Sequence, residues 1–205
     1  MKIELPPIER TQKWVVAGVG YIAFCLLYTL AGASPFRAPT LLPPSFADEF
    51  IPFMGWTVWI YHAQFFFLFF CCAALKRSVT ITRTLSSMGL ASLLAFITFF
   101  IYPTSVLRPQ PPSTGMTAMA FALLYGMDSA ANCFPSLHVA LAWLAMIGVS
   151  EESRKRGVLA AVCAVLISIS TLTTKQHYAV DVAGGLALAA LCRALVIKVL
   201  VPVRR

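Results

Sequence analysis

Long apolar runs are the feature that most constrains what this chain can fold into. A transmembrane helix needs about 20 consecutive apolar residues, and several runs reach or approach that length. We predict six transmembrane helices, over residues 14–33, 55–75, 85–102, 135–149, 158–171 and 178–199. Only 12% of the 205 residues are charged, whereas soluble domains are about one quarter charged. The sequence therefore predicts an all-α, polytopic integral membrane protein, with residues 1–205 forming one domain.

Two apolar segments need separate interpretation. Residues 116–125 are apolar, but about ten residues are too few to cross a bilayer, so we expect a short interfacial or re-entrant helix before the fourth span. The first run ends in Ala31-Gly32-Ala33, a pattern typical of signal-peptidase sites. However, it exceeds the usual apolar core of about 7–15 residues, and Glu4 and Glu9 precede it. We expect an uncleaved first span.

The distribution of charge predicts the orientation in the membrane. With six spans, 13 of the 16 Lys and Arg residues fall on the side that holds both termini. Cytoplasmic loops carry the excess of basic residues, so we expect both termini in the cytoplasm. Arg37, Arg108 and Lys175 then lie on the opposite face. The net charge of +8 does not indicate nucleic acid binding, because the basic residues sit in short connectors between apolar runs. The short loops suit a bacterial inner membrane.

The first polar island in the catalytic half is Pro135-Ser136-Leu137-His138, where an apolar helix is expected to begin. Proline is favoured in the first turn of a helix. The first-turn amides and the positive end of the helix dipole bind anions. Ser136 adds a hydroxyl donor, and His138 lies within the same turn. Such a site suits a phosphate group.

The second island contains His177 and Asp181, which are four residues apart and share one face of a helix. A carboxylate in that position can hold an imidazole in one tautomer and stabilise its cation. Arg108 and Lys175 supply positive charges that phosphoryl oxygens prefer. His138 and His177 fit a nucleophile and a general acid, and phosphoryl transfer needs little beyond these and positioning.

Two other chemistries could use these residues. Ser136, His177 and Asp181 could form a serine-hydrolase triad, although the GxSxG nucleophile elbow is missing. His138, His177 and Asp181 could instead bind a metal, but the nearby Arg108 and Lys175 favour an anion. Each basic residue alone could simply extend toward lipid headgroups. The acidic pair Asp48 and Glu49, in the 34–53 connector, is expected to be solvated.

At these residues the chain resembles the type 2 phosphatidic acid phosphatase superfamily of lipid phosphatases and phosphotransferases. The matching positions, all within 102–181, are Arg108-Pro109, Pro135-Ser136, His138, Ser170, His177 and Asp181. The resemblance implies that His177 is a nucleophile forming a phosphohistidine, that Asp181 orients it, and that His138 is the general acid. It also implies phosphate binding by Arg108, Ser136 and main-chain amides, a phosphorylated membrane lipid as substrate, and neither metal nor cofactor.

The chain departs from the family pattern at three positions. Ile101 replaces a lysine, Thr171 replaces an arginine, and Leu137 replaces a glycine while keeping its amide N–H. We expect Lys175 to replace one of the missing cations. The Pro-Ser-Leu-His-Val form, the His-Tyr-x-x-Asp motif and the 48–53 loop resemble the inositol-phosphotransferase and sphingolipid-synthase branch.

These observations predict a metal-independent membrane lipid-phosphate phosphatase acting at the non-cytoplasmic face. One alternative is a phosphotransferase that moves a phosphate-bearing headgroup between lipids. Another, of a different class, is a non-catalytic membrane scaffold or lipid transporter. The motifs specify neither the lipid nor the oligomeric state.

Overall fold

Helices dominate the structure, as the apolar runs predict. The computed structural model describes residues 3–33, 37–128 and 130–202. Lys2, Arg204 and Arg205, three of the charges assigned to the cytoplasmic side, lie outside the described residues. Within those ranges the helices are α1 (Lys13–Ala33), α2 (Phe46–Phe50), α3 (Val58–Ala74), α4 (Ser78–Ile101), α5 (Gly115–Met127), α6 (Leu137–Glu152), α7 (Arg154–Thr173) and α8 (Ala179–Val199). The predicted all-α class is confirmed.

Short extended segments add little to this architecture. The strands are β1 (Ile3–Leu5), β2 (Thr40–Leu41), β3 (Thr104–Ser105) and β4 (Leu200–Pro202). They form two parallel pairs, in which Ile3 lies opposite Leu200 and Thr40 lies opposite Thr104. The second pair ties the 37–45 segment to the loop that precedes Arg108.

Five helical segments in the described part of the chain are long and apolar enough to cross a bilayer. They are Lys13–Gly32, Gly55–Ala74, Ser78–Ile101, Arg154–Thr173 and Ala179–Val199. The helix α6 has 16 residues, about 24 Å at 1.5 Å per residue, which is shorter than the roughly 30 Å hydrocarbon core. Five spans are consistent with an integral membrane protein. The sixth span and the interfacial position of α5 stay predictions.

The helix α4 begins seven residues before the predicted span. Its first turns carry Thr80, Thr82 and Thr84, which hydropathy counts as polar, yet each is at most 3% exposed. The Thr82 hydroxyl donates to the Ser78 carbonyl at 2.8 Å, so its polarity is satisfied within the helix. Turns that contain threonine can therefore be buried, and the apolar run is shorter than the helix at its N-terminal end.

The helix α6 is the centre of the bundle, because it packs against α3, α4, α7 and α8. Small side chains allow this close packing, and the buried ones on α6 include Ala140, Ala142, Ala145 and Gly148. A Cβ on Gly148 would lie 2.4 Å from the Thr84 hydroxyl oxygen. Packing on all sides fixes the first turn of α6, which carries His138.

The helix α5 packs against α3 and brings its C-terminal end into the bundle. The buried cluster between them consists of Val58, Tyr61, Ala120, Phe121 and Leu124. In addition, Nε2 of His62 lies 3.0 Å from the Ala120 carbonyl oxygen. Asp128, which follows the last residue of α5 as its C-cap, is thereby held near the first turns of α3.

Candidate active site

The three motif segments meet in the structure, as their order and the predicted topology require. The Phe134 amide donates to the Thr104 hydroxyl at 2.8 Å, which joins the 103–108 loop to the segment before α6. The Ser136 amide donates to the Asp181 carbonyl at 3.0 Å, which joins the start of α6 to the start of α8. The predicted convergence of these segments is therefore present.

Two glycines on α8 set the close approach between α8 and the start of α6. A Cβ on Gly185 would lie 2.5 Å from the Ser136 carbonyl oxygen, and one on Gly184 would lie 2.5 Å from the Phe134 ring. Contacts that short do not occur with real side chains, so any larger residue would push the helices apart. The two glycines thus keep the segment that carries His138 close to Asp181.

His177 and Asp181 form an ion-pair contact at the start of α8. Nδ1 of His177 lies 3.5 Å from Oδ2 of Asp181, and the side chains are 5% and 0% exposed. The same carboxylate oxygen accepts a hydrogen bond from the Tyr178 amide at 2.8 Å, which fixes its position. Because Nδ1 faces the carboxylate, Nε2 is the ring nitrogen that remains for chemistry.

His138 lies in the first turn of α6, with its ring centroid 6.3 Å from that of His177. Its Nδ1 is 3.2 Å from the hydroxyl oxygen of Tyr61 on α3. The Tyr61 and His138 rings are also in contact, with centroids 4.1 Å apart and planes tilted by 31°. Two imidazoles at this separation can act on opposite sides of one small group, such as a phosphoryl group.

The start of α6 differs in detail from the expectation. The helix begins at Leu137, so Pro135 precedes the first turn. Ser136 is the N-cap, and its hydroxyl oxygen accepts from the Val139 amide at 3.4 Å. Ser136 is 0% exposed, a burial that disfavours both direct phosphate donation and the serine-hydrolase alternative. The first-turn amides of Leu137 and His138 remain the anion-binding groups that a helix start supplies.

Arg108 makes an ion pair that the sequence did not indicate. Its guanidinium donates to the Asp128 carbonyl at 2.8 Å and lies 3.4 Å from the Asp128 carboxylate. Both side chains are mostly buried, at 14% and 11% exposure. The guanidinium also lies over the Tyr125 ring, 5.3 Å from its centroid. Arg108 is therefore held rigidly beside the site by α5.

Lys175 points to the loop that contains α2. It has a left-handed backbone, with φ of 56°, and its ammonium donates to the Asp48 and Ile51 carbonyls at 2.9 and 2.5 Å. With two main-chain acceptors so close, this geometry favours a role in holding the loop over the predicted role as a phosphate cation.

Asp48 is buried, and the expectation that it is a solvated loop charge is wrong. Its carboxylate accepts from the Ala179 amide at 2.7 Å and from the Ser45 amide and hydroxyl at 2.8 and 2.6 Å. Burial by itself raises the pKa of the Asp48 carboxyl, but these hydrogen bonds and the Lys175 ammonium outweigh it and lower the pKa. The neighbouring Glu49 is exposed, as expected.

Three residues of the site, Asp128, Tyr28 and Tyr61, were not among the residues predicted from the sequence. Asp128 accepts hydrogen bonds from Tyr28 on α1 and from Tyr61 on α3, the latter at 3.0 Å. The tyrosines stand within apolar, aromatic runs like many others, and nothing local marks them. Asp128 could have been noticed as an ionisable residue between a short apolar helix and a motif, since such residues are functional candidates in membrane proteins.

The metal alternative lacks a suitable donor set in the part of the chain that the structure describes. No three His, Cys, Asp or Glu side chains there are grouped so that they could hold an ion. Instead, the site combines two imidazoles, a carboxylate behind one of them and a nearby guanidinium, which is an arrangement for phosphoryl chemistry.

Comparison with known proteins supports the same assignment. No individual curated protein matches the chain. The family model of the PAP2 superfamily matches residues 49–195, which is well over half of the chain and includes every site residue predicted from the sequence. The chain therefore belongs to the PAP2 superfamily.

Proposed function

We propose that this protein is a membrane lipid-phosphate phosphatase that acts through a phosphohistidine intermediate. Membership of the PAP2 superfamily indicates a phosphatase or phosphotransferase. The observation that carries the proposal is the pair of imidazoles 6.3 Å apart, of which His177 has Asp181 behind Nδ1. This is the nucleophile–orienter arrangement, with a second imidazole placed to donate a proton.

In the first step, Nε2 of His177 attacks the phosphorus atom of the lipid phosphate. The N–P bond forms while the bond between phosphorus and the lipid oxygen breaks, and His138 gives that oxygen its proton. The positive charge that develops on His177 is stabilised by the Asp181 carboxylate at 3.5 Å. General acid catalysis of this kind contributes about 10²–10⁴-fold in rate.

In the second step, water replaces the lipid alcohol. His138, now neutral, accepts a proton from water as the oxygen attacks phosphorus, and the N–P bond breaks. The products are inorganic phosphate and the free lipid alcohol, with both histidines in their starting states. No external oxidant, reductant or metal enters this balance.

Arg108 and the first-turn amides of α6 are the groups proposed to bind the phosphoryl oxygens. The guanidinium is almost buried and held by Asp128, so little side-chain entropy is lost when it binds an anion. Leu137 contributes through its amide alone, which is why its side chain can replace the glycine of the family pattern. The roles predicted for Ser136 and Lys175 as direct phosphate ligands receive less support from their contacts.

The proposed site faces the non-cytoplasmic side of the membrane. In support, the basic residues near the opposite ends of the helices, such as Arg77 and the run Arg154 to Arg156, far outnumber those near the site. Cytoplasmic loops carry that excess. For this orientation α6 and the five long helices together make six crossings, and both termini are cytoplasmic.

Transfer to an acceptor lipid is the second candidate function. It is favoured by the Pro-Ser-Leu-His form of the second motif, which resembles the phosphotransferase branch of the superfamily. In that case the hydroxyl of an acceptor lipid would replace water in the second step. His138 would accept its proton in the same way.

The test is a phosphate-release assay on purified protein in detergent, with a lipid phosphate monoester as substrate and with EDTA present throughout. Release of inorganic phosphate without any acceptor lipid, abolished in His177→Gln, is the expected result. Turnover that requires an added acceptor lipid would support transfer instead. Inactivity with EDTA, restored by zinc, would contradict the metal-independent mechanism.

A further inference from the structure

The general acid has neighbours that the mechanism above leaves unused. Nδ1 of His138 lies 3.2 Å from the Tyr61 hydroxyl oxygen, and that oxygen lies 3.0 Å from Oδ2 of Asp128. The three residues come from the first turn of α6, the first turns of α3 and the end of α5. A continuous chain of contacts thus runs from a carboxylate through a phenol to the ring that is to donate a proton.

The position of the protons in this chain follows from the donors available. Asp128 forms an ion pair with the Arg108 guanidinium, and a carboxylate in an ion pair only accepts hydrogen bonds. The phenol has one proton, which it donates to Asp128. The phenol oxygen must then accept from His138, which requires a proton on Nδ1.

This arrangement determines which nitrogen of His138 can act. With Nδ1–H directed at Tyr61, the second proton of the imidazolium is on Nε2, the atom that remains to reach the lipid oxygen. The close contact between the Tyr61 and His138 rings, whose centroids are 4.1 Å apart, also restricts rotation of the imidazole. The negative charge of Asp128, relayed through the phenol, stabilises the doubly protonated ring.

The carboxylate itself is firmly held. Its other oxygen accepts a hydrogen bond from Tyr28 on α1, and the Arg108 guanidinium contacts both the carboxylate and the main chain of Asp128. Tyr61 is 1% exposed, so water does not compete strongly for its hydroxyl. The relay is therefore rigid on the side away from the substrate.

We propose that Tyr61 and Asp128 are positioning residues for His138, holding it with a proton on Nδ1 so that Nε2 delivers the proton to the leaving lipid oxygen. They would serve the general acid as Asp181 serves the nucleophile, but through an intervening phenol. This inference rests on the proposed phosphatase function. It adds two residues to which the family motifs assign no role.

The leaving group of the substrate distinguishes this role from a merely structural one. An alkyl alkoxide is a poor leaving group and needs protonation, whereas a nitrophenolate leaves readily without it. We would compare a long-chain alkyl phosphate with a nitrophenyl phosphate that bears the same chain, using kcat/KM, which reports the first chemical step. The ratio of the two values is independent of how much of a variant is folded, because both substrates meet the same enzyme.

For Tyr61→Phe we expect kcat/KM for the alkyl phosphate to fall by about 10- to 100-fold, a part of the effect of a general acid. The value for the nitrophenyl phosphate should change by less than about threefold. Asp128→Asn should shift the ratio in the same direction, and His138→Gln should shift it furthest. The matched control is Tyr21→Phe, which removes the same hydroxyl from an exposed position on α1 and should leave the ratio unchanged.

An unchanged ratio in both Tyr61→Phe and Asp128→Asn, with a changed ratio in His138→Gln, would overturn the positioning role and leave the phosphatase mechanism standing. If the native protein released phosphate from neither substrate, the proposed function would fail, and the positioning role would fail with it. A ratio that falls in Tyr61→Phe and Asp128→Asn but is unchanged in Tyr21→Phe would support the positioning role.

Discussion

The carboxylate of Asp48 accepts a hydrogen bond from the main-chain amide of Ala179 at 2.7 Å. Ala179 is the first residue of α8 and lies two residues after His177. The carboxylate therefore satisfies an amide that the helix leaves free at its N-terminus, from a distant part of the chain. Through this contact the loop containing α2 holds the segment that carries the proposed nucleophile.

Replacement of Asp48 should therefore destabilise the protein and slow the reaction. Loss of a helix-capping side chain costs about 0.5–2 kcal/mol, and Asp48→Ala also leaves the Ser45 and Ala179 amides without their acceptor. We expect a lower midpoint of thermal unfolding in detergent, together with reduced phosphate release. Glu49→Ala, at the exposed neighbouring position, is the control and should change neither quantity. Equal stability of the two variants would contradict the role of Asp48.

The same contact predicts a dependence of stability on pH. The pKa of Asp48 is lowered in the folded protein from its ordinary value of 3.8. The stabilisation is thus present above about pH 4 and is lost as the pH falls below that value through the folded pKa. The difference in unfolding midpoint between the native protein and Asp48→Ala should be constant near neutral pH and shrink in acid. A difference that grew on acidification would have the wrong sign.

Gly185 should not tolerate a methyl group. A Cβ there would lie 2.5 Å from the Ser136 carbonyl oxygen, a main-chain atom that cannot rotate away. We expect Gly185→Ala to destabilise by about 1–3 kcal/mol and to separate His138 from His177, which lowers activity further. Gly89→Ala, in open space on α4, should be neutral or slightly stabilising because alanine favours helix. Comparable unfolding midpoints for both variants would argue against this contact.

Arg108 and Lys175 should differ in their effect on phosphate binding. If Arg108 binds the phosphoryl group, Arg108→Ala removes a charged hydrogen bond of about 1.5–3 kcal/mol, so the inhibition constant of inorganic phosphate should rise by about one to two orders of magnitude. Lys175→Met keeps most of the aliphatic stem but loses the bonds to Asp48 and Ile51. It should lower the unfolding midpoint more than it changes that constant. An equal rise in the inhibition constant for both variants would instead make Lys175 a phosphate ligand.

The parts of the site that lie within motifs could be predicted from the sequence. The four-residue spacing of His177 and Asp181 predicted that the two side chains lie close together, although His177 precedes α8, which begins at Ala179. The alternation of apolar and basic segments predicted that Arg108, His138 and His177 lie on one side of the membrane. These inferences depend on local periodicity and on counting crossings. The first agrees with the structure, where Nδ1 of His177 lies 3.5 Å from the Asp181 carboxylate, and the second stays a prediction.

The remaining contacts depend on packing between distant helices. The Asp128 carboxylate accepts hydrogen bonds from Tyr28, Tyr61 and Arg108. These residues approach it only when α1, α3 and the loop that carries Arg108 are assembled around it. The direction of the Lys175 side chain depends on its left-handed backbone conformation. No neighbouring residue in the sequence predicts that conformation. The sequence predicts a Ser136 hydroxyl that is available to bind phosphate, whereas in the structure Ser136 is the N-cap of α6.

The most direct test of the phosphohistidine mechanism is to identify the phosphorylated residue during turnover. The nitrophenyl phosphate, labelled on phosphorus, would be mixed with the His138→Gln variant, in which the first step proceeds and the attack by water is slow. After an alkaline quench and proteolysis, we expect a label on His177 that is stable to alkali and lost in acid, and no label in His138→Gln/His177→Gln. Phosphate release at the native rate from His177→Gln, or a label on any other residue, would contradict it.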